Sequence, residues 1–153
     1  MRNGQASFEF LLVTAIAITL LVTSTYFIFG YTQAGADRTA LVQAAQIGYQ
    51  IVDNARNVYL YGEGSFLTIL ANQNEQIQGV YVVENQWLVI DVRTDKGIIP
   101  VNIYSDIPIN GTMIDADFPL GERTMVQDPF FARGGRASYR VQSEGTWVRI
   151  NQI

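Results

Sequence analysis

The stretch Phe10-Leu-Leu-Val-Thr-Ala-Ile-Ala-Ile-Thr-Leu-Leu-Val-Thr-Ser-Thr-Tyr-Phe-Ile-Phe-Gly-Tyr31 decides how the rest of the chain is read. These 22 residues give a helix no charged face and contain no proline. The uncharged run continues to Ala36, which makes 27 consecutive residues without a charge. At 1.5 Å per residue such a helix reaches roughly 40 Å, more than the ~30 Å hydrocarbon core of a bilayer. It is long enough to cross a membrane. Arg2 precedes it and Asp37 follows it, which predicts that the short N-terminus stays inside.

Working outward, the charge is unevenly spread. Residues 1–36 contain only Arg2 and Glu9, whereas residues 62–153 hold eleven acidic and seven basic groups. The whole chain has 153 residues, ten basic and fourteen acidic, and a net charge of −4. Its length fits one domain plus an extension. Charged residues make up 16% of it, below the ~25% usual in soluble domains. With no cysteine and no histidine, disulfides, the usual zinc and haem sites, Cys- or Ser/His-based nucleophiles and imidazole acid–base catalysis are all excluded. Lys96 is the single lysine, so a lysine phosphate site or Schiff base must rest on it. The acidic balance argues against general binding to nucleic acid. There is no phosphate loop, dinucleotide fingerprint or kinase set. The sequence predicts no enzyme, no cofactor and no metal site.

The apolar segment has three readings. A cleaved secretory signal is one: Ala34-Gly35-Ala36 before Asp37 fits the small-residue cleavage rule, although 22 apolar residues exceed the 7–15 or so of a signal core. That reading leaves a secreted soluble domain starting at Asp37. A plain single-span anchor is another, with Glu9 at headgroup level; it leaves a membrane-anchored binding module that does not polymerise. The third rests on Gly4-Gln5-Ala6-Ser7-Phe8-Glu9, which leads directly into the apolar run. The pattern Gly4-Gln5-x-Ser7-x-Glu9 resembles the processing motif of archaeal type IV pilins, which carry a class III signal peptide. Two positions depart from that pattern. Asn3 stands where a basic residue often precedes the glycine, and Val13 stands where a leucine is common.

The resemblance implies cleavage between Gly4 and Gln5, with the apolar helix kept. Residues 1–4 are then a leader, and 5–61 a long helix whose membrane-spanning and filament-core part covers about 8–31. Residues 62–153 are then an outer β-rich domain. It further implies a homo-oligomeric helical filament at the cell surface, used for adhesion or attachment, and a membrane location before assembly. The implied partners are a prepilin peptidase, a polytopic membrane platform and a cytoplasmic assembly ATPase. Glu9 is the sole charge between Arg2 and Asp37. Taken into a helix bundle, its carboxylate needs a partner, and the new α-amine of Gln5 on a neighbouring subunit supplies one. Such a pair would set the subunit register.

After Tyr31 the pattern turns amphipathic. Leu41, Ala44, Ala45, Gly48, Ile51, Val52, Ala55, Val58 and Tyr59 recur near helical spacing. One helix is expected from about Ala6 to about Tyr61, stopped by Gly62-Glu63-Gly64. Gly30, Gly35 and Gly48 are candidate bends or close-packing points. From Phe66 the period changes to that of strands: 66–70, 80–83, 86–92, 98–104, 137–142 and 146–150, with turns at Glu84-Asn85, Asp95-Lys96-Gly97 and Ser143-Glu144-Gly145. The fold expected is α+β, a long N-terminal helix followed by a small antiparallel sheet of five or six strands packed on its second half. Residues 105–136 are expected to be irregular surface.

Three further clusters stand out. Asn110-Gly111-Thr112 is the one N-x-[ST] sequon. It is read both as a glycosylation site and as an Asn-Gly turn with positive φ. Asp106, Asp115, Asp117 and Glu122 form an acidic group without the spacing of a calcium loop, better read as solvated carboxylates. Phe130-Phe131-Ala132-Arg133-Gly134-Gly135-Arg136, with Arg140, is a basic and aromatic patch that Arg149 joins if the last hairpin brings it near. Contact with a neighbouring subunit's carboxylates suits it better than nucleic acid.

Overall fold

A computed structural model describes residues 2–111, 113–114, 123–127 and 135–153, with side chains over 8–111, at 126 and over 135–153. The chain forms two compact units, Met1–Ala36 and Asp37–Ile153. Helix α1 (Arg2–Tyr61) contains all the described residues of the first unit and opens the second. It stops where the sequence says it should. Gly62 takes a left-handed φ of 93°, a conformation that costs glycine nothing and ends helices. The Ser65 hydroxyl then shares its proton between two carbonyls at the helix end, those of Val58 at 2.7 Å and Gly62 at 2.6 Å. Acceptors that the last turn leaves open are thereby satisfied.

The second unit continues as strands. They are β1 (Phe66–Gln73), β2 (Ile77–Val83), β3 (Trp87–Thr94), β4 (Gly97–Tyr104), β5 (Ile109–Gly111), β6 (Met113–Ile114), β7 (Arg123–Gln127), β8 (Gly135–Ser143) and β9 (Val148–Gln152). Sheet 1 has the order β1-β8-β9-β5 and sheet 2 the order β4-β3-β2-β7-β6. The α+β architecture is the one the sequence predicts, but two details differ. The strands form two sheets rather than one, and β5 runs parallel to β9. Three short strands, β5, β6 and β7, lie in the stretch expected to be irregular. They are three, two and five residues long, too short for alternation to show. What holds β5 is the burial of Ile109 and its pairing to Val148.

Turn chemistry is as read for β2–β3. Glu84 and Asn85 both adopt positive φ, 54° and 57°, and the Gln86 N–H donates to the Val83 carbonyl at 3.2 Å. A left-handed pair of this kind matches the twist of the flanking strands.

One core joins the helix to both sheets. Ala40, Ala44, Ile47, Ile51, Ala55 and Val58 of α1 are buried at spacings of four or three, a single helical face. Against them lie Ile69, Tyr139, Val141 and Ile150 of sheet 1, and Val80, Val82, Leu88, Ile90 and Ile103 of sheet 2. Within this core the Gln73 side-chain amide donates to the Tyr139 hydroxyl, so both buried polar groups are partnered. Burial raises the phenol's pKa further, which keeps it neutral.

Of the three glycines singled out in the helix, Gly48 is the close-packing point. A Cβ there would sit 2.4 Å from Ile103 Cδ1 and 2.9 Å from its Cγ1, and Ile103 is itself buried, so it must shift within the core. Gly30 and Gly35 have nothing within 4 Å. Gly48→Val is therefore expected to destabilise the second unit by about 1–3 kcal/mol through overpacking. Gly35→Ala should not lower its stability. Chemical unfolding of the detergent-solubilised chain, followed by circular dichroism, checks both.

Candidate functional site

The first unit places its apolar side chains in the open. From residue 8 to residue 36 no side chain is buried; Leu21 is 67% exposed and Phe29 72%. The helix is long and apolar enough to cross a membrane, with a mean hydropathy of 2.1 over its best window. Its hydroxyls are handled internally. Thr14, Thr19, Thr23, Thr25 and Thr32 each donate to the carbonyl four residues back, all at 2.8 Å. Those hydroxyls carry no hydrogen-bond demand into apolar surroundings. The site residues Gly4, Gln5 and Ser7 lie in the first turns of α1, with side chains outside the described set. Glu9 is exposed on the same helix.

The first charge after the apolar run is tied down. Asp37 is 7% exposed. Its Oδ1 accepts from the Gln76 amide at 2.8 Å and its Oδ2 from the Asp95 N–H at 3.0 Å. These bonds join the helix to the loop before β2 and to the β3–β4 turn. The Asp95 N–H is the main cause of a carboxyl pKa held below its ordinary 3.8; burial opposes it, while the Gln76 amide and the Lys96 charge assist. Sequence reasoning took Asp37 as the flank of the uncharged run, as the first residue of a possible secreted domain and as part of the helix's polar faces, whereas it is buried. No local signal links it to residues 39 and 58 positions away.

Asn110 is not in a turn. It is the middle residue of β5, beside Arg149 of β9, and its Oδ1 accepts from the Gly111 N–H at 2.9 Å. Among the described non-glycine residues only Glu84 and Asn85 have positive φ, so the expected Asn-Gly turn is replaced by strand pairing. Thr112, the third sequon position, lies outside the described residues. So do Asp115, Asp117 and Glu122 of the acidic group. Asp106 forms a surface ion pair with Arg56 at 2.9 Å. Among the described residues, no three potential ligands gather closely enough to hold a metal ion.

The basic patch does come together in part. Residues 130–134 lie outside the described set, but the β8–β9 hairpin sets Gln142 opposite Arg149 and Arg140 opposite Asn151. Arg136, Arg140 and Arg149 thus share the outer face of sheet 1. Arg140 lies over the Phe66 ring at 4.7 Å, with its Nε buried and unbonded. Arg149 lies 5.3 Å from the Trp147 ring and pairs with Glu144 at 3.2 Å. An aromatic-backed guanidinium on a partly exposed sheet face suits a carboxylate.

No family model, curated protein or solved structure matches the chain.

The Asp37 geometry sets a pH dependence. A carboxyl with a lowered folded-state pKa stabilises the fold above its ordinary value of 3.8, and that contribution is lost as pH falls through the folded value. Asp37→Asn should therefore lower the melting temperature near pH 7. The gap to wild type should shrink in acid, through and below the normal carboxylate range. Thermal melts across that range check it.

Proposed function

We propose that this chain is the structural subunit of a type IV pilus-like surface filament, polymerising through the apolar half of α1. The observation that carries the reading is an uncharged helical stretch with no buried side chain, ending at the Asp37 tie to a compact domain. That stretch needs apolar cover from outside the chain. Lipid supplies it before assembly and other copies of the helix supply it afterwards. The threonine bonds to the helix backbone support both settings, because the polar atoms of those side chains need no new partner in either. Small residues such as Ala15, Ala17 and Ser24 allow close helix approach. The filament is placed at the cell surface, with the β-rich unit outermost and carrying Asn110 as a glycosylation site.

In this reading Gly4 and Gln5 flank the processing site, and Gln5, Ser7 and Glu9 form the motif a prepilin peptidase recognises. Glu9 then pairs with the Gln5 α-amine of a neighbouring subunit. An unpaired carboxylate in that bundle would cost several kcal/mol, so the pair fixes the axial register. A platform protein and an assembly ATPase complete the machinery.

N-terminal sequencing and intact mass of the protein from its native cell surface test the processing step. A chain starting at Gln5 is expected. Retention of Met1 in a protein that forms no filaments would leave a membrane-anchored module, and a chain starting at Asp37 a secreted domain. Glu9→Ala should keep the protein in the membrane fraction and abolish filaments seen by electron microscopy. Filaments at wild-type yield would sink the register role.

A further inference from the structure

The outer face of sheet 1 gathers positive charge in an acidic chain. Along β8 and β9 residues alternate between core and surface. Tyr139, Val141, Val148 and Ile150 are buried, so Arg136, Arg140 and Gln142 of β8 and Arg149 and Asn151 of β9 turn outward. The same alternation turns Thr68 of β1 and Asn110 of β5 to this side, opposite Arg140 and Arg149. The outward positions of all four strands fall on described residues, and none of them is acidic.

The register sets the spacing. Gln142 lies opposite Arg149 and Arg140 opposite Asn151, which makes Arg140 and Arg149 diagonal neighbours about 7–8 Å apart. Arg136 stands four residues back along β8, about 13 Å from Arg140. Rings hold two of the three guanidinium groups: Arg140 lies 4.7 Å from the Phe66 centroid and Arg149 5.3 Å from that of Trp147. A stacked guanidinium has already given up much of its freedom, so less is lost when it meets a partner. The acids near this face gather at one end. Glu144, in the β8–β9 turn, pairs with Arg149 at 3.2 Å, and the Glu63 carboxylate approaches the same turn at Gly145. Among the described residues neither Arg136 nor Arg140 has a carboxylate partner.

Two arguments identify the partner. The first is charge. The chain's net charge is −4 with these three arginines counted and −7 without them. Exposed acids lie on other parts of the second unit: Asp53 on α1, and Glu75, Glu84 and Asp95 in the turns around β2 and β3. A second copy thus presents the carboxylates that this face suits. The second is symmetry. Two arginine faces repel, so this face cannot meet itself across a two-fold axis and must meet an unlike one. A contact between unlike faces repeats from copy to copy and, unless its rotation closes a ring, builds an open helical array.

We propose that the outer face of sheet 1 docks on exposed carboxylates of a second copy of this chain. Arg136 and Arg140 are the main cations, and Arg149 is shared with its own Glu144. This deepens the filament reading and rests on it: that reading joins subunits through the apolar helix, and this contact joins their β-rich units.

The test uses the full chain in a non-ionic detergent at one chain per micelle. Sedimentation velocity is run over a range of protein concentrations, at low salt and at about 1 M salt, where charges are screened beyond roughly 3 Å. Wild type is expected to associate at low salt, to grow past the dimer with concentration, and to dissociate at high salt. The double variant Arg136→Glu/Arg140→Glu should weaken association about tenfold or more, as reversal of contact charges does. Arg136→Glu alone, at an exposed position, should weaken it severalfold and keeps the test decisive if the double variant unfolds. Mixed with wild type, the double variant retains its acidic surface but not its arginines, so it should cap growing species and lower their mean size. Wild type that stays monomeric at low salt, that stops at a dimer, or that associates no better than the variants overturns the proposal. So does arginine-dependent retention on immobilised DNA by a chain that does not associate with itself. Surface filaments are scored separately by electron microscopy. Wild-type filaments without salt-sensitive association remove this inference and keep the filament reading. Arginine-dependent association in a protein that forms no surface filaments removes the filament reading alone.

Discussion

Apolar surface must be covered, and in this molecule one helix meets that demand in two ways. In the second unit the face from Ala40 to Val58 is covered by the chain's own sheets. That single stripe holds sheet 1 and sheet 2 to a common core, because each contributes residues to the cluster around Ile51 and Ala55. In the first unit nothing in the described chain covers residues 8–36. The change falls at Asp37, the first charged residue past the uncharged run, which is held by a side-chain amide and a backbone N–H.

Much of this was legible in the sequence because it follows from local periodicity and turn chemistry. The helix end at Gly62, the Glu84-Asn85 turn and the presence of the long strands rest on residues within a few positions of one another, whereas the strand ends differ from the expected ones by up to three residues, as at β1 and β2. The buried face of α1 differs from the reading chiefly by adding Ala40 and Ile47. What escaped depends on distant partners. β5 is three residues long and exists because β9 lies beside it. Asn110 reads as a turn residue until Val148 and Ile150 are known to flank its neighbours. Asp37 reads as a flank of the apolar run until Gln76 and Asp95 arrive.

The two outer faces differ in chemistry. Sheet 1 turns out Arg136, Arg140 and Arg149, with aromatic rings beneath two of them. Sheet 2 turns out rings, an amide and acids, with Arg93 two residues beyond Asp91 on the same face of β3. In a chain with a net charge of −4, three arginines on one face are a local exception. They make that face one suited to carboxylates.

Sheet 1 also dictates an order of events. Its edge strand β1 begins at Phe66, yet its partner β8 ends at Ser143, and β9 must then slot between β8 and β5. The strand that follows the helix in sequence is thus left without its partner until β8 has been made. Neighbouring strands such as β2, β3 and β4 can pair as they emerge, whereas closing the loop from β1 to β8 carries the entropic cost of everything between. Sheet 1 is fastened by β8 and β9, and loss of β9 would leave both β8 and β5 without the neighbour that joins them.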